Sequence, residues 1–258
     1  MMKKINLQNV VLFFISLLLF TSCIGTNSNS ESGYIVGVVR IETKTFKPVL
    51  DVSDDVAFYS VRFENTNPGA CLHVYYELDF DSPENSYEVV ASRGYFTVNI
   101  LDKVELDQWY MSHYPDTTSQ VLTDEVALLD PAMGGEVAYV KGMAFFGSIL
   151  EIPAGQTMYW RLSCDMQDYM KEEGGSRYYD VFLRATVKTS SNKSPERTGS
   201  INAYDMQSYL ERIARDEKNR DSKEFKIRFN YVSEIKDEVI TWKQQESLPI
   251  FVAFILGE

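Results

Sequence analysis

Histidine and cysteine are scarce in this chain. Only His73 and His113, and Cys23, Cys71 and Cys164, occur in 258 residues. Nucleophilic catalysis needs a nucleophile, a base and an orienter in contact. No Gly-x-Ser-x-Gly elbow accompanies the two imidazoles, so no catalytic residue is assigned. A closed zinc site takes four ligands. Cys71 lies two residues before His73, half of such a site at most, and Cys164 falls far along the chain; no metal and no other cofactor is expected. Glycine-rich phosphate loops are missing too, because Gly134-Gly135 and Gly174-Gly175 are lone pairs that read as turns. Basic side chains are outnumbered, 25 against 37 acidic ones. A surface of that sign repels nucleic acid. With so many acids, carboxylate pairs are unavoidable and single out no glycosidase site. Asp79, Asp81 and Glu84 crowd one strand end but lack the glycine and the length of a calcium loop, so a solvated acidic turn is expected there.

A long apolar run is also absent. Val10–Ile15 and Leu17–Phe20, split by Ser16, fall well short of a membrane span, which takes about 20 residues. Lys3 and Lys4 precede this run, and Thr21, Ser22 and Cys23 follow it. A basic start, a short apolar core and small residues before a cleavage point make 1–22 a secretory signal peptide. Small residues ending on a cysteine resemble the lipobox of bacterial lipoproteins, although Phe20 departs from the usual Leu. The resemblance implies that Cys23 becomes the lipid-carrying N-terminus, and several acyl chains on one residue hold almost irreversibly. Ile24, where an Asp would signal inner-membrane retention, points to the outer membrane, with the periplasmic and surface sides both open. Residues 23–32 are rich in Ser, Asn and Gly and read as a flexible tether. Without 1–22 the chain has 23 basic side chains and a net charge of −14.

What the chain has in quantity is aromatic residues, 16 Tyr, 15 Phe and 3 Trp, which favour strands. His73–Phe80 alternates, with Val74, Tyr76, Leu78 and Phe80 on one face and His73, Glu77 and Asp79 on the other. Phe96, Val98 and Ile100 repeat that period, as do Val181, Leu183, Ala185 and Val187 against Arg184, Thr186 and Lys188. Period-2 patterning of this kind predicts half-buried antiparallel strands. Residues 33–106 are expected to form a small barrel or sandwich. Residues 107–118 are polar, contain a Pro and carry Trp109, Tyr110 and Tyr114; they read as a connection whose aromatics stack a ligand. Residues 119–258 form a second set of strands. Thr189–Gly199 reads as an exposed loop and Ile250–Leu256 as a last strand. One helix is predicted over Ala203–Lys218, capped by Asn202, with Met206, Leu210, Ile213 and Ala214 on its apolar face and Glu211 placed to pair with Arg215. Cys71 and Cys164 sit in strand-like segments and are expected as free buried thiols, though an oxidising compartment permits a bridge.

Gly69–Phe80 followed by Tyr95–Asp107, and then Gly199–Leu210, Phe225–Tyr231 and Val239–Lys243, resemble in strand spacing and local wording the NigD-like lipoproteins of Bacteroidales. The resemblance implies a mainly β fold: an N-terminal small OB-like β-barrel followed by a β-sandwich with one crossover helix. It implies an address in the cell envelope and no defined activity. The reading that follows is a lipid-anchored, non-enzymatic envelope protein that binds or scaffolds. Its partners are the membrane, through lipid on Cys23, and a protein or glycan not yet identified. The alternative is a surface glycan-binding accessory lipoprotein of a polysaccharide-utilisation system. Asp116-Thr117-Thr118 also resembles the short sequon at which Bacteroidetes O-glycosylate exported proteins, which marks Thr117 for modification.

Overall fold

In the computed structural model, residues 29–117, 120–131 and 138–257 are described. The signal peptide and residues 23–28 of the expected tether, Cys23 among them, lie outside the described residues.

Alternating apolar residues build the first sheet from β1 (Ser30–Ile41), β2 (Pro48–Asp51), β3 (Ala57–Tyr59), β4 (Cys71–Asp79), β5 (Phe96–Thr97) and β6 (Asn99–Glu105). Regular structure therefore begins at Ser30, a little earlier than the sequence suggests. The strand order is β5-β3-β2-β1-β4-β6. Only Val98 separates β5 from β6, and its N–H donates to the Tyr59 carbonyl at 2.9 Å. This single stretch runs parallel to β3 at its start and antiparallel to β4 from Asn99 onward. Both edges of the sheet are thus the same piece of chain, and the sheet closes into a small barrel. A bulge between Tyr75 and Tyr76 supplies part of the bend. The barrel is filled as the alternation predicts: Leu72, Val74, Tyr76 and Leu78 point inward to meet Leu50, Phe58, Val98 and Ile100. A helix the sequence reading did not foresee, α1 (Tyr87–Arg93), ends at Gly94 in the left-handed region and links β4 to β5.

At Gly37 the barrel backbones approach closely. A Cβ there would lie 2.3 Å from the Asp51 carbonyl oxygen and 2.8 Å from the Leu50 side chain. Gly37→Ala should therefore lower stability by about 1–3 kcal/mol, the usual range for overpacking. An unchanged urea midpoint for that variant would show that the barrel can open at this point.

The second sheet comprises β7 (Gln108–Ser112), β8 (Glu125–Val126), β9 (Tyr139–Val140), β10 (Met143–Pro153), β11 (Thr157–Ser163), β12 (Met170–Glu173), β13 (Ser176–Thr189), β14 (Pro195–Asp205), β16 (Ile227–Lys236) and β17 (Val239–Glu246). Its main path is β17-β16-β13-β11-β7-β14-β10-β9, with β8 and β12 paired to β13. β15 (Glu224–Phe225) pairs with β18 (Ile250–Phe251) apart from it. The sheet doubles over. β10 and β16 stand one strand in from opposite ends, yet Phe146 of β10 meets Phe229 of β16 edge-on at 5.0 Å while stacking on Tyr204 at 4.4 Å. Leu129 donates to the Ile149 carbonyl and Leu128 to the Val232 carbonyl, both at 2.8 Å, which straps the two ends together.

Several expectations change here. The segment read as a connection contains β7, which lies in the middle of the large sheet, parallel to both β11 and β14. Parallel partners come from distant sequence, so no local pattern announces them. The loop expected at 189–199 shortens to 190–194, because β13 runs through Thr189 and β14 starts at Pro195; the two strands are not neighbours in the sheet. Asn202 and Ala203 belong to β14, paired with Phe146 and Phe145, so Asn202 caps no helix. The helix, α2, spans Gln207–Lys218. Its apolar face is the expected one, with Leu210, Ile213 and Ala214 buried and Met206 buried just ahead of it, and Arg215 holds Glu211 at 2.6 Å. Only Ile250–Phe251 of the last apolar run is strand; Val252–Leu256 is a third helix, α3, closed by Gly257 in the left-handed region. Arg184, read as outward-facing, is fully buried, because β13 is covered on both faces.

Glu217 of α2 anchors that helix to the sheet, accepting from Arg177 at 2.6 and 2.7 Å and from the Tyr179 hydroxyl. Burial opposes its ionisation, but hydrogen bonds from Arg177, Tyr179 and Ser222 prevail and hold the carboxyl below its ordinary range. The cores of the two sheets also touch. Cys71 of β4 shares an apolar cluster with Leu106 and Met111, and Val36 and Val38 of β1 pack against it.

Candidate functional site: the cleft between the two sheets

The chain leaves β6, passes through Leu106 and Asp107 and enters β7 without a turn. Leu106 N–H donates back to Cys71 of the barrel at 2.8 Å, and the Asp107 carbonyl accepts from Ala203 of β14 at 3.1 Å. One stretch of backbone is thus stitched first to the barrel and then to the large sheet. Where the two sheets diverge from this seam they leave a cleft of about 740 Å³. Its barrel wall carries His73, Val104, Glu105 and Asp107; its other wall is the surface of β10 and β14 from Gly147 to Ile149 and from Gly199 to Asn202, with Asp130 at the rim. The volume falls within the range of small-ligand sites, about 300–1,000 Å³.

The floor is bare. Gly147 faces Ile201 and Gly199 faces Ile149 across the ladder, and a Cβ at either glycine would meet nothing within 4 Å. Below it lie uncharged polar groups. Ser148 and Asn202 are each only 4% exposed. Asn202 donates to Ser200 at 3.0 Å and accepts from the Trp109 indole N–H at 3.4 Å. The Ser148 hydroxyl has no hydrogen-bond partner among the described residues. Glu105, Asp107 and Asp130 supply carboxylates, and among the described lining residues there is no Lys or Arg. Arg197, outside this lining, pairs with Asp130 at 4.0 Å. On the barrel wall the His73 ring stacks on Tyr34 at 5.1 Å, and Tyr34 in turn lies against Tyr75 at 4.7 Å. Burial lowers the His73 pKa against the pull of Asp102, so the ring is neutral at neutral pH.

The residues expected to stack a ligand do not form one surface. Trp109 is partly buried, edge-on to Tyr159 at 6.1 Å. Tyr110 and Tyr114 are 85% and 82% exposed, and no ring contact joins the three among the described residues. β7 turns Trp109 and Tyr110 to opposite sides, as successive strand residues must be. Thr117 is exposed, but Asp116 beside it is tied down by Arg184 at 3.0 Å and by the Ser163 hydroxyl at 2.9 Å; Thr118 lies outside the described residues. At the acidic turn, Asp79 accepts from the Asp81 N–H at 2.9 Å, and among the described residues no three His, Cys, Asp or Glu side chains form a metal-ligating group. Both remaining cysteines are free and buried, their thiols pushed up to about 12 chiefly by burial. His113 is exposed on the turn after β7. The cleft itself escapes sequence reasoning because its walls span residues 73 to 202. The one hint was His73, correctly placed on the outer face of β4.

The closed barrel now meets its counterpart. Residues 27–104 match the family model described as the lipoprotein OB domain. The OB domain thus carries one wall of the cleft and the remainder of the chain carries the other. Over the whole chain the fold is similar to that of an uncharacterized protein from Parabacteroides merdae, at 17% identity and a TM-score of 0.69, covering 85% of this chain and 97% of that one. A putative lipoprotein from Bacteroides fragilis is 14% identical with a TM-score of 0.54, covering 84% and 97%. A NigD-like immunity protein from Bacteroides caccae also matches, at 11% identity and a TM-score of 0.47, over 85% and 94%. At such identities the likeness is one of fold. No curated protein matches the sequence. The lipoprotein resemblance read from the residues is met by the OB-domain match over residues 27–104. The chain is mainly β, with an OB domain at its N-terminal end.

Proposed function

We propose that this chain is a lipid-anchored, non-enzymatic protein of the outer membrane that works by binding. The observation that carries the reading is a lipobox-type cysteine placed directly ahead of a lipoprotein OB domain. Six residues, 24–29, separate Cys23 from the start of β1. At roughly 3.5 Å per extended residue, they hold the OB domain close to the bilayer surface. A catalytic role finds little support in the side chains. The two thiols are buried and pushed up to about 12, and neither imidazole is hydrogen-bonded to a hydroxyl or thiol among the described residues. A cleft lined from both halves of the chain is the natural place for a binding activity. Cys23→Ala, expressed with its signal peptide, should move the protein from the outer-membrane fraction to the soluble envelope fraction. Continued sedimentation with membranes would refute the anchor, and sedimentation of the unaltered protein with the inner membrane would refute the address.

A further inference from the structure

We propose that the tip of the β1–β2 hairpin is a second membrane contact, with Phe46 entering the interface of a bilayer that carries anionic lipid. This deepens the envelope reading above and rests on its lipid anchor. The turn, Glu42–Lys47, reads Glu-Thr-Lys-Thr-Phe-Lys. Phe46 is 82% exposed and makes no ring contact among the described residues. Its φ is 56°, in the left-handed region that suits glycine or asparagine and is rare for a bulky side chain. A phenyl group there lies outside the barrel core and strains the backbone. Strain of that kind concentrates at functional positions. The turn holds the ring in place rigidly. Phe46 N–H donates to the Glu42 carbonyl at 2.7 Å and Glu42 N–H to the Lys47 carbonyl at 2.8 Å, while the Glu42 carboxylate accepts from the Lys44 N–H at 3.2 Å.

Charge at the tip selects the occupant. Glu42, the only carboxylate of the turn, is buried and held by Arg40 at 2.7 Å. Lys44 and Lys47 are exposed on either side of Phe46, the first reaching the Ser92 carbonyl at 3.3 Å and the second lying over the Tyr59 ring at 4.3 Å. Ile41, the last residue of β1, is exposed too. Apolar groups flanked by ammonium groups on flexible stems match a bilayer surface, with hydrocarbon below and lipid phosphate above. The acidic excess of the chain does not oppose the contact. Glu31, Asp79 and Asp81 gather at the other end of the barrel, where Ser30 pairs with Asp79 and Asn29 donates to Asp81. The 12 residues of β1 put roughly 36 Å between the two ends, several times the screening length of about 8–10 Å. Residues 24–29 reach only about 21 Å when extended. With Cys23 in the bilayer and the tip touching it, β1 must lie closer to the membrane plane than to its normal.

The test separates the tip from the anchor by using the Cys23→Ala protein, which carries no lipid. It is cosedimented with vesicles of phosphatidylethanolamine and phosphatidylglycerol in equal parts, and with vesicles of phosphatidylcholine alone. The protein should bind the anionic vesicles, and more weakly as salt is raised. Phe46→Asn should weaken that binding by about tenfold or more, a change of ~1.4 kcal/mol, without lowering the thermal midpoint, because asparagine tolerates the left-handed region. Lys44→Gln combined with Lys47→Gln should weaken it as well and flatten the salt dependence. Absence of binding to the anionic vesicles, equal binding by Phe46→Asn, or equal binding to phosphatidylcholine would overturn the contact; the first is also the result that a tip reserved for a protein partner would give. The anchor is read separately, from fractionation of the unaltered protein, so either reading can fall without the other.

Discussion

Replacing Glu125 by alanine should destabilise the protein by about 3–5 kcal/mol, the range seen when one partner of a buried ion pair is removed. Arg184 has no exposed surface and lies against a Glu125 side chain that has none either. The two form a bidentate pair at 2.6 and 2.7 Å, and Arg184 reaches Asp116 at 3.0 Å, the Gln120 carbonyl at 2.8 Å and the Trp242 ring at 5.6 Å. Those contacts hold Asp116, Gln120 and Glu125 against β13. Without Glu125 the guanidinium keeps its burial and loses its main counter-charge. Urea denaturation of the Cys23→Ala protein gives the measurement, read from the midpoint at constant slope. A loss under about 1 kcal/mol would mean that water reaches Arg184, as at a surface pair. The double variant Arg184→Met, Glu125→Leu should recover most of the loss, because a well-packed apolar pair replaces a buried ionic one at little net cost.

Phe146→Ala should cost a similar amount, about 3–5 kcal/mol, as large-to-small changes in a filled core do. Its ring stacks on Tyr204 at 4.4 Å and meets Phe229 at 5.0 Å. Those partners belong to β14 and β16, so the cavity opens where the doubled sheet is joined to itself. The loss should appear as a fall of several degrees in thermal midpoint for a chain of this size. Phe146→Leu should retain most of the stability, since it keeps much of the volume. If alanine is tolerated with little change, the two layers of the sheet are held by the Leu128–Leu129 strap rather than by this packing.

The barrel was the legible part. Its strands alternate cleanly, and the inward set on β4, Leu72 to Leu78, is the one that period 2 assigns. Period 3.6 marked the buried face of α2 as reliably, down to Ile213 and Ala214, because those positions are set by burial along one element. Boundaries were less legible. β14 holds Asn202 and Ala203 in strand because Phe145 and Phe146 lie opposite them, and a cap residue cannot outbid a ladder. Val252–Leu256 has the composition of a strand, yet it packs as a helix beside α2. α1 is short and buries no residue completely, so it leaves no periodic trace.

What the sequence by itself determined is the sign of the net charge, the mainly β character and the inward faces of the regular strands. Each of these depends on residues within one or two turns of chain. What only the tertiary structure decided is every feature that joins distant segments. β7 lies central because β11 and β14, more than 40 residues onward, run parallel to it. Arg184 is buried because Asp116, Gln120 and Glu125 close over it. The cleft exists because the seam from β6 to β7 commits one backbone to two sheets that then diverge, bringing His73 to the same cleft as Gly147 and Gly199. Side-chain periodicity records which way a residue faces; it carries no information about what another part of the chain places in front of it.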